Sequence, residues 1–235
     1  PVEAVSQASA NQRMGRCGRI ADGICYRLYS EDDFLTRSEF TDPEILRTNL
    51  AAVILKMIDS GIGEVSEFEF IDPPDNRLWN DGYKLLHELG AVDTKRNITS
   101  VGRQLSSLPA DPRLAKMLLT AAGNHSLKEV LIIVSGLSIQ DPRERPSEKQ
   151  QAADLAHKTF KDSESDFISY LNLWTHYEKE RQELTNNQLK RYCQKNYISF
   201  MRMREWREIH RQLHLVLKNM KLVENEQESN YDSVH

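Results

Sequence analysis

Most of the chemistry open to this sequence sits in eight residues, Gln12-Arg13-Met14-Gly15-Arg16-Cys17-Gly18-Arg19. Wound as a helix, they put Gln12, Arg16 and Arg19 on one stripe, at i, i+4 and i+7. Guanidinium forks on a bare helix face suit polyphosphate oxygens, which they grip bidentately, and a carboxamide beside them can hold a water. Two glycines inside a helix cost about 1 kcal/mol each relative to alanine. That penalty makes sense where backbone must come close to a ligand. The same composition also suits a flexible stretch touching RNA, or a plain solvated loop. Composition does not choose between these readings.

A second concentration of charge lies near the other end. Residues 181–218 hold nine Lys/Arg and three Glu, a local +6, with Tyr192, Tyr197, Phe200 and Trp206 interleaved. Such a pattern favours a nucleic-acid backbone and stacked bases. It also fits aromatics facing a core with the charges solvated. Arg202 and Arg204 are the candidate phosphate contacts here, and Lys95, in a polar turn, is a third. The whole chain carries 31 basic and 35 acidic residues, a net −4, which argues against nonspecific nucleic-acid binding by bulk charge. Cys17, Cys25 and Cys193 form no Cys-x-x-Cys pair and the seven histidines no ligand-spaced cluster, so no metal site is expected. Scarce, odd-numbered cysteine suits a reducing compartment, the cytoplasm. No apolar run approaches a membrane span, and the start at Pro1 reads as a piece of a longer protein.

The elements that must position these residues are mostly helical. Residues 23–29 alternate apolar and polar, which predicts a short strand whose sheet lies upstream, followed by a helix-like turn from Ser30. Asp42 as cap, Pro43 at the first helical position and Glu44 against the dipole open a helix. Its apolar face is Leu46, Leu50, Val53, Ile54, Met57 and Ile58, with Gly61 as the stop. A second helix over 76–89 ends at Gly90, and 91–99 reads as two very short strands around a turn. Helix, helix and small hairpin in that order suggest a winged helix. Asp111-Pro112 opens a further helix closed by Gly123, and Ser126-Leu127-Lys128-Glu129 is a capping box leading into the next. A loop is expected at 140–150, helices by period over 152–220, and a disordered acidic tail beyond Lys221. Leu114, Met117, Leu118, Val130, Ile133, Val134, Leu137, Leu171 and Trp174 read as core. The 76–89 helix balances Asp81 and Glu88 against Arg77 and Lys84, which favours a scaffold over reading of a DNA groove.

Gln-Arg-x-Gly-Arg-x-Gly-Arg resembles the sixth motif of the superfamily 2 DEAH/DExH helicases. Ser6-Gln-Ala-Ser-Ala-Asn11, Gly23-Ile-Cys-Tyr-Arg-Leu-Tyr-Ser30 and Phe40-Thr-Asp-Pro-Glu-Ile-Leu-Arg-Thr-Asn-Leu50 resemble the DEAH version. So does Leu108-Pro-Ala-Asp-Pro-Arg-Leu114, while 136–146 and 197–213 look like the bacterial HrpA-type branch. This resemblance implies the C-terminal portion of an ATP-dependent RNA helicase, mainly α. It would comprise a remnant of a RecA-like α/β domain at 1–41, a winged helix at 42–108, an α-helical ratchet domain at 109–220 and a polar tail at 221–235. By the same resemblance Gln12 orients the attacking water, Arg16 contacts the ATP phosphates and Arg19 is the arginine finger. Arg13, off the stripe, suits a structural or interdomain ion pair. ATP and Mg2+ belong to the intact enzyme. No phosphate-binding Gly-Lys-Ser/Thr loop or Asp-Glu-Ala-His sequence is present, so this piece is expected to bind neither alone and to be inactive. Its implied partners are single-stranded RNA and the upstream RecA-like domains of the same protein, with no membrane. The rival readings are a non-enzymatic nucleic-acid-binding module and an adaptor.

Overall fold

A computed structural model describes residues 4–18, 20–41, 50–62, 65, 68–227, 229 and 234. The fold is mainly α: eleven α-helices lie among the described residues, and their β-pairing is limited to the bridges Val92–Ile98 and Arg143–Ile198. No helix among them is long and apolar enough to cross a membrane.

The chain begins with two short helices, α1 (Gln7–Met14) and α2 (Glu31–Thr36). Ser6 caps α1 by accepting the Ser9 N–H, and the free N–H groups of Gln7 and Ala8 donate to the carbonyls of Ser38 and Glu39 at 3.0 and 2.9 Å. Ser30 caps α2, whose first turn is acidic as the helix dipole favours. The predicted strand at 23–29 does not form. With no partner strand to complete its ladder, it runs as extended loop and leaves Ile24, Tyr26 and Leu28 exposed.

The helix predicted to open at Asp42 falls partly on 42–49, outside the described residues, as does its Leu46. The remainder is α3 (Ala51–Asp59), which buries Ile54 and Met57 with Ala51 and Leu55, and Gly61 follows it at φ +68°. α4 (Asn76–Glu88) packs against α3, with Asp75 capping through the Arg77 N–H at 2.9 Å. The expected hairpin shrinks to the single Val92–Ile98 bridge, its turn pinned by Asp93 Oδ1, which accepts from the N–H groups of Lys95 and Asn97. A helix absent from the sequence reading, α5 (Ser100–Ser107), starts at the Thr99 cap and packs on α3. A Cβ on Gly102 would stand 2.1 Å from the Ala91 carbonyl, so α5 rests directly on the bridge strand.

Six further helices form a bundle: α6 (Pro112–Gly123), α7 (Leu127–Leu137), α8 (Gln150–His157), α9 (Asp166–Glu183), α10 (Asn186–Lys195) and α11 (Phe200–Asn219). The helical run predicted over 152–220 is therefore broken three times, by the Ser165 and Thr185 caps and by Tyr197 at φ 54°. A short 3-10 turn, Ser147–Lys149, interrupts the expected loop. Helix α7 is the axis, in contact with α6, α9 and α11. One apolar core runs from Leu50 through Val134 and takes in Leu213 and Leu217 of α11; a second gathers Phe160, Tyr170, Leu173, Tyr177, Leu189, Cys193, Ile198, Met203 and Trp206. So α11 joins the two cores, its first half in one and its last half in the other. Gly136 makes this possible, because a Cβ there would meet Trp206 at 2.6 Å.

Four expectations about the bundle need correction. Leu118, Val130, Ile133 and Val134 are buried, and Leu114 and Met117 lie partly buried against the first core and Trp174 against the second, but Leu137 is exposed and Leu171 is half-buried beside a groove. The Ser126 capping box is not made: its φ and ψ, −130° and 19°, leave Oγ buried without a hydrogen-bond partner. The Lys128 N–H is instead satisfied at 2.9 Å by Asn225 Oδ1, from the far end of the chain. Among the described residues of the tail, Leu222 packs on the first core and Asn225 and Ser229 bond back to α7. Burial works against the Glu129 carboxylate, yet hydrogen bonds from Asn225 and Ser229 hold it below the usual range.

Candidate functional site

The eight-residue motif does not form one helical stripe. Helix α1 ends at Met14, Gly15 caps it with its N–H on the Asn11 and Arg13 carbonyls, and Gly18 turns the chain at φ +75°. The glycines therefore terminate the helix rather than sit inside it, which removes the supposed helical penalty. Gln12 lies in the last turn of α1 and Arg16 in the turn after it, both exposed. Arg19 lies outside the described residues. Arg13 is exposed and pairs with no carboxylate among the described residues. The result is a solvent-facing helix end carrying a carboxamide and two guanidinium groups, a donor set suited to phosphate oxygens.

Arg202 and Arg204 both line a groove of about 960 Å³ between α9 and α11. The charge around it is more balanced than the sequence count suggests. Glu178 takes ion pairs from Arg207 at 2.8 Å and Arg181 at 2.9 Å; Arg211 pairs with Glu208 at 2.6 Å, and His214 with Glu224 at 2.6 Å. The Arg211 guanidinium, with Gln212, pulls Glu208 down to about 2. Arg202 donates to the Asp141 carbonyl at 2.8 Å and is thus partly a structural strut. Arg204 is exposed, with no ion-pair partner among the described residues, and is the better-placed of the two for a phosphate. Lys95 is exposed at the tip of the turn after α4 and does not line this groove; its neighbour Arg96 lies 4.3 Å over the Tyr83 ring.

Three of the four aromatic residues of 181–218 are taken up in packing. Trp206 is wholly buried and donates from Nε1 to the Ile132 carbonyl at 2.9 Å, while Tyr192 and Phe200 pack on the second core. The groove's aromatic wall comes from Trp174, stacked on His210 at 4.9 Å. Burial keeps His210 less basic than usual, so it contributes a neutral ring. Trp174, read from the sequence as core, packs on the second core with one side and lines the groove with the other. Among the described residues no group of three His, Cys, Asp or Glu is placed to hold a metal ion.

Two family models match the chain. The helicase-associated domain (HA2), winged-helix, matches residues 83–110, and the helicase-associated domain (HA2), ratchet-like, matches residues 111–170. An ATP-dependent RNA helicase HrpA homolog of Haemophilus influenzae is 53% identical over 242 residues, covering 100% of this chain and 19% of that protein. ATP-dependent RNA helicase HrpA of Escherichia coli is 51% identical over 240 residues, 100% of this chain and 18% of that protein. ATP-dependent RNA helicase DHX33 of Drosophila melanogaster is 35% identical over 223 residues, 94% of this chain and 31% of that protein. The chain spans about a fifth of the length of the two bacterial relatives.

Proposed function

Because this chain carries the helicase-associated winged-helix and ratchet-like domains, we propose that it is the phosphate-sensing and RNA-gripping part of an ATP-dependent 3′-to-5′ RNA helicase. The observation that carries this reading is the Gln12–Arg19 motif, exposed at each of its described residues 12–18, on a chain 51–53% identical throughout its length to proteins named HrpA. Gln12 orients the attacking water, Arg16 contacts the phosphates, and Arg19 is the finger that stabilises charge in the transition state, an effect worth about 10³–10⁵ in rate where such fingers are supplied. Carboxamide and guanidinium donors fit the phosphates of ATP. They do not fit Mg2+, which needs carboxylate or hydroxyl oxygens, and those would come from an upstream RecA-like domain. ATP supplies the free energy of phosphoryl transfer. On this reading the residues act together with such a domain and are expected to hydrolyse no ATP without it.

Under this reading the domains divide as 1–41, 42–108 and 109–220, the winged helix is a scaffold, and Arg204, Arg202 and Lys95 contact the RNA backbone. The balanced charge of the groove favours a motor that must release its strand at each cycle over a module that binds tightly alone. The test is RNA-stimulated ATP hydrolysis by the full-length protein, wild type against Arg19→Ala, with folding checked by circular dichroism. Loss of at least about a hundredfold in the folded variant supports the finger. Equal rates remove Arg19 from that role, and no hydrolysis by wild type with any RNA moves the adaptor reading ahead.

A further inference from the structure

An exposed helix of eight residues does not hold its shape or direction by itself. Of α1 only Ala10 is buried, and residues 11–18 are all exposed. Its first turn is anchored: Gln7 Nε2 donates to the Arg37 carbonyl at 2.8 Å, and Ser6 Oγ meets Thr41 Oγ1 at 2.9 Å. The last turn, which carries Gln12, has a different anchor. Arg27 donates to Asn11 Oδ1 at 2.7 Å, reaches Met14 Sδ at 3.8 Å, and lies 4.2 Å over the Phe34 ring of α2. Among the described residues this guanidinium makes the side-chain hydrogen bonds that join the end of α1 to the rest of the chain. Nearby, a Cβ on Gly23 would stand 2.7 Å from the Gly18 N and 2.9 Å from the Cys17 Cβ, so the turn bearing Arg16 leans directly on the backbone leading to Arg27.

We propose that Arg27 is a positioning residue: it clamps the end of α1 to α2 and so fixes the direction of Gln12 and of the turn carrying Arg16. This rests on the reading of Gln12 and Arg16 as groups that act at the ATP γ-phosphate. Asn11, next to Gln12, is the handle, and Phe34 is the surface that holds the guanidinium flat. Arg37 repeats the device at the first turn, 3.9 Å over the Tyr29 ring. Arg27 itself touches no phosphate; it acts by keeping the carboxamide of Gln12 where the attacking water must be held.

The test uses the full-length protein and measures RNA-stimulated ATP hydrolysis, kcat and KM for ATP, with thermal midpoints. Arg27→Ala is expected to lower kcat at least about tenfold, since a 1 Å misplacement costs as much as a hundredfold. KM should change less than about threefold and the midpoint should hold, because ground-state contacts with ATP remain. Arg27→Lys should restore most of the rate. Asn11→Ala should cost about as much as Arg27→Ala, and the double variant little more than either, as for two ends of one contact. Wild-type kcat in Arg27→Ala, with kcat lost in Gln12→Ala, overturns the positioning role and leaves the motif reading standing. Wild-type kcat in Gln12→Ala and Arg16→Ala as well overturns both. Should Arg27→Ala fail to fold, Asn11→Ala decides, and wild-type kcat there overturns the proposal.

Discussion

Between residues 4 and 41 only Ser6 and Ala10 are buried among the described positions, whereas α7 alone buries seven of its eleven residues. The two regions are held by different forces. The bundle stands on apolar area removed from water, about 25 cal/mol per Å². The segment that carries the motif stands on backbone hydrogen bonds to 38 and 39, one carboxamide, and two guanidinium groups laid over aromatic rings. Its apolar residues Ile24, Tyr26 and Leu28 sit at a period of two and face water. Between 4 and 41 few side chains are withdrawn from water, so this segment depends on directional polar contacts where the bundle depends on burial.

The sharpest way to break this contrast is Trp206→Ala. The side chain is fully buried, lies against Gly136, and donates to Ile132 and Ser135. Its removal should cost about 4 kcal/mol, as large-to-small changes at buried aromatics do. Urea unfolding followed by circular dichroism measures it, and a loss below about 1 kcal/mol would mean the second core is not packed as described. The matched change in the other region, Leu28→Ser, removes a side chain that is 99% exposed and should stay within about 0.5 kcal/mol.

Asn225→Ala gives a smaller effect that tests where the bundle ends. Its Oδ1 serves as the cap of α7 that Ser126 fails to provide, across 97 positions of sequence. Loss of a helix cap costs about 1 kcal/mol. Hydrogen exchange should show the first turn of α7 losing protection while α9 keeps it; unchanged protection at Lys128 would argue that the tail does not cap this helix.

How much of this was legible in the sequence depends on the range of the cause. Local chemistry was readable in part: Asp111 caps its helix as its place before Pro112 suggests, and Gly61 and Gly90 take the left-handed conformation past α3 and α4, whereas the Ser165 and Thr185 caps were hidden inside a helical period that runs across them. Long-range causes were not. Ser126 has every local mark of a cap, yet its partner is replaced from residue 225. The motif's glycines looked like interruptions of a helix and are its end, because Gly18 adopts a positive φ that periodicity does not register. Arg27 occupies a polar slot of an alternating segment, which signals only solvent; its role emerges when α1 and α2 are brought together. The +6 of 181–218 is less concentrated at the groove than it reads, because Glu178, from outside that stretch, pairs with both Arg181 and Arg207.

The smallest perturbation compares the two regions through their thiols, without any mutation. Cys17 and Cys25 are exposed beside the motif, and Cys193 is buried in the second core. Burial pushes the Cys193 thiol up to about 11 from an ordinary 9.0, and Tyr177 beside it up to about 12 from 10.0. Both groups are therefore protonated in the folded bundle at a pH where the unfolded chain has begun to lose those protons. The sign follows: stability is intact below about pH 9, falls as pH climbs toward 12, and does not change on the acid side for these two groups. A disulfide reagent at pH 8 should modify two thiols at once and the third only at the rate of bundle opening. Raising the pH past 10 should speed that third reaction more than the ionisation of an exposed thiol explains, because the bundle itself is loosening. Three equally fast thiols at pH 8 would place Cys193 outside the core and erase the difference between the two halves.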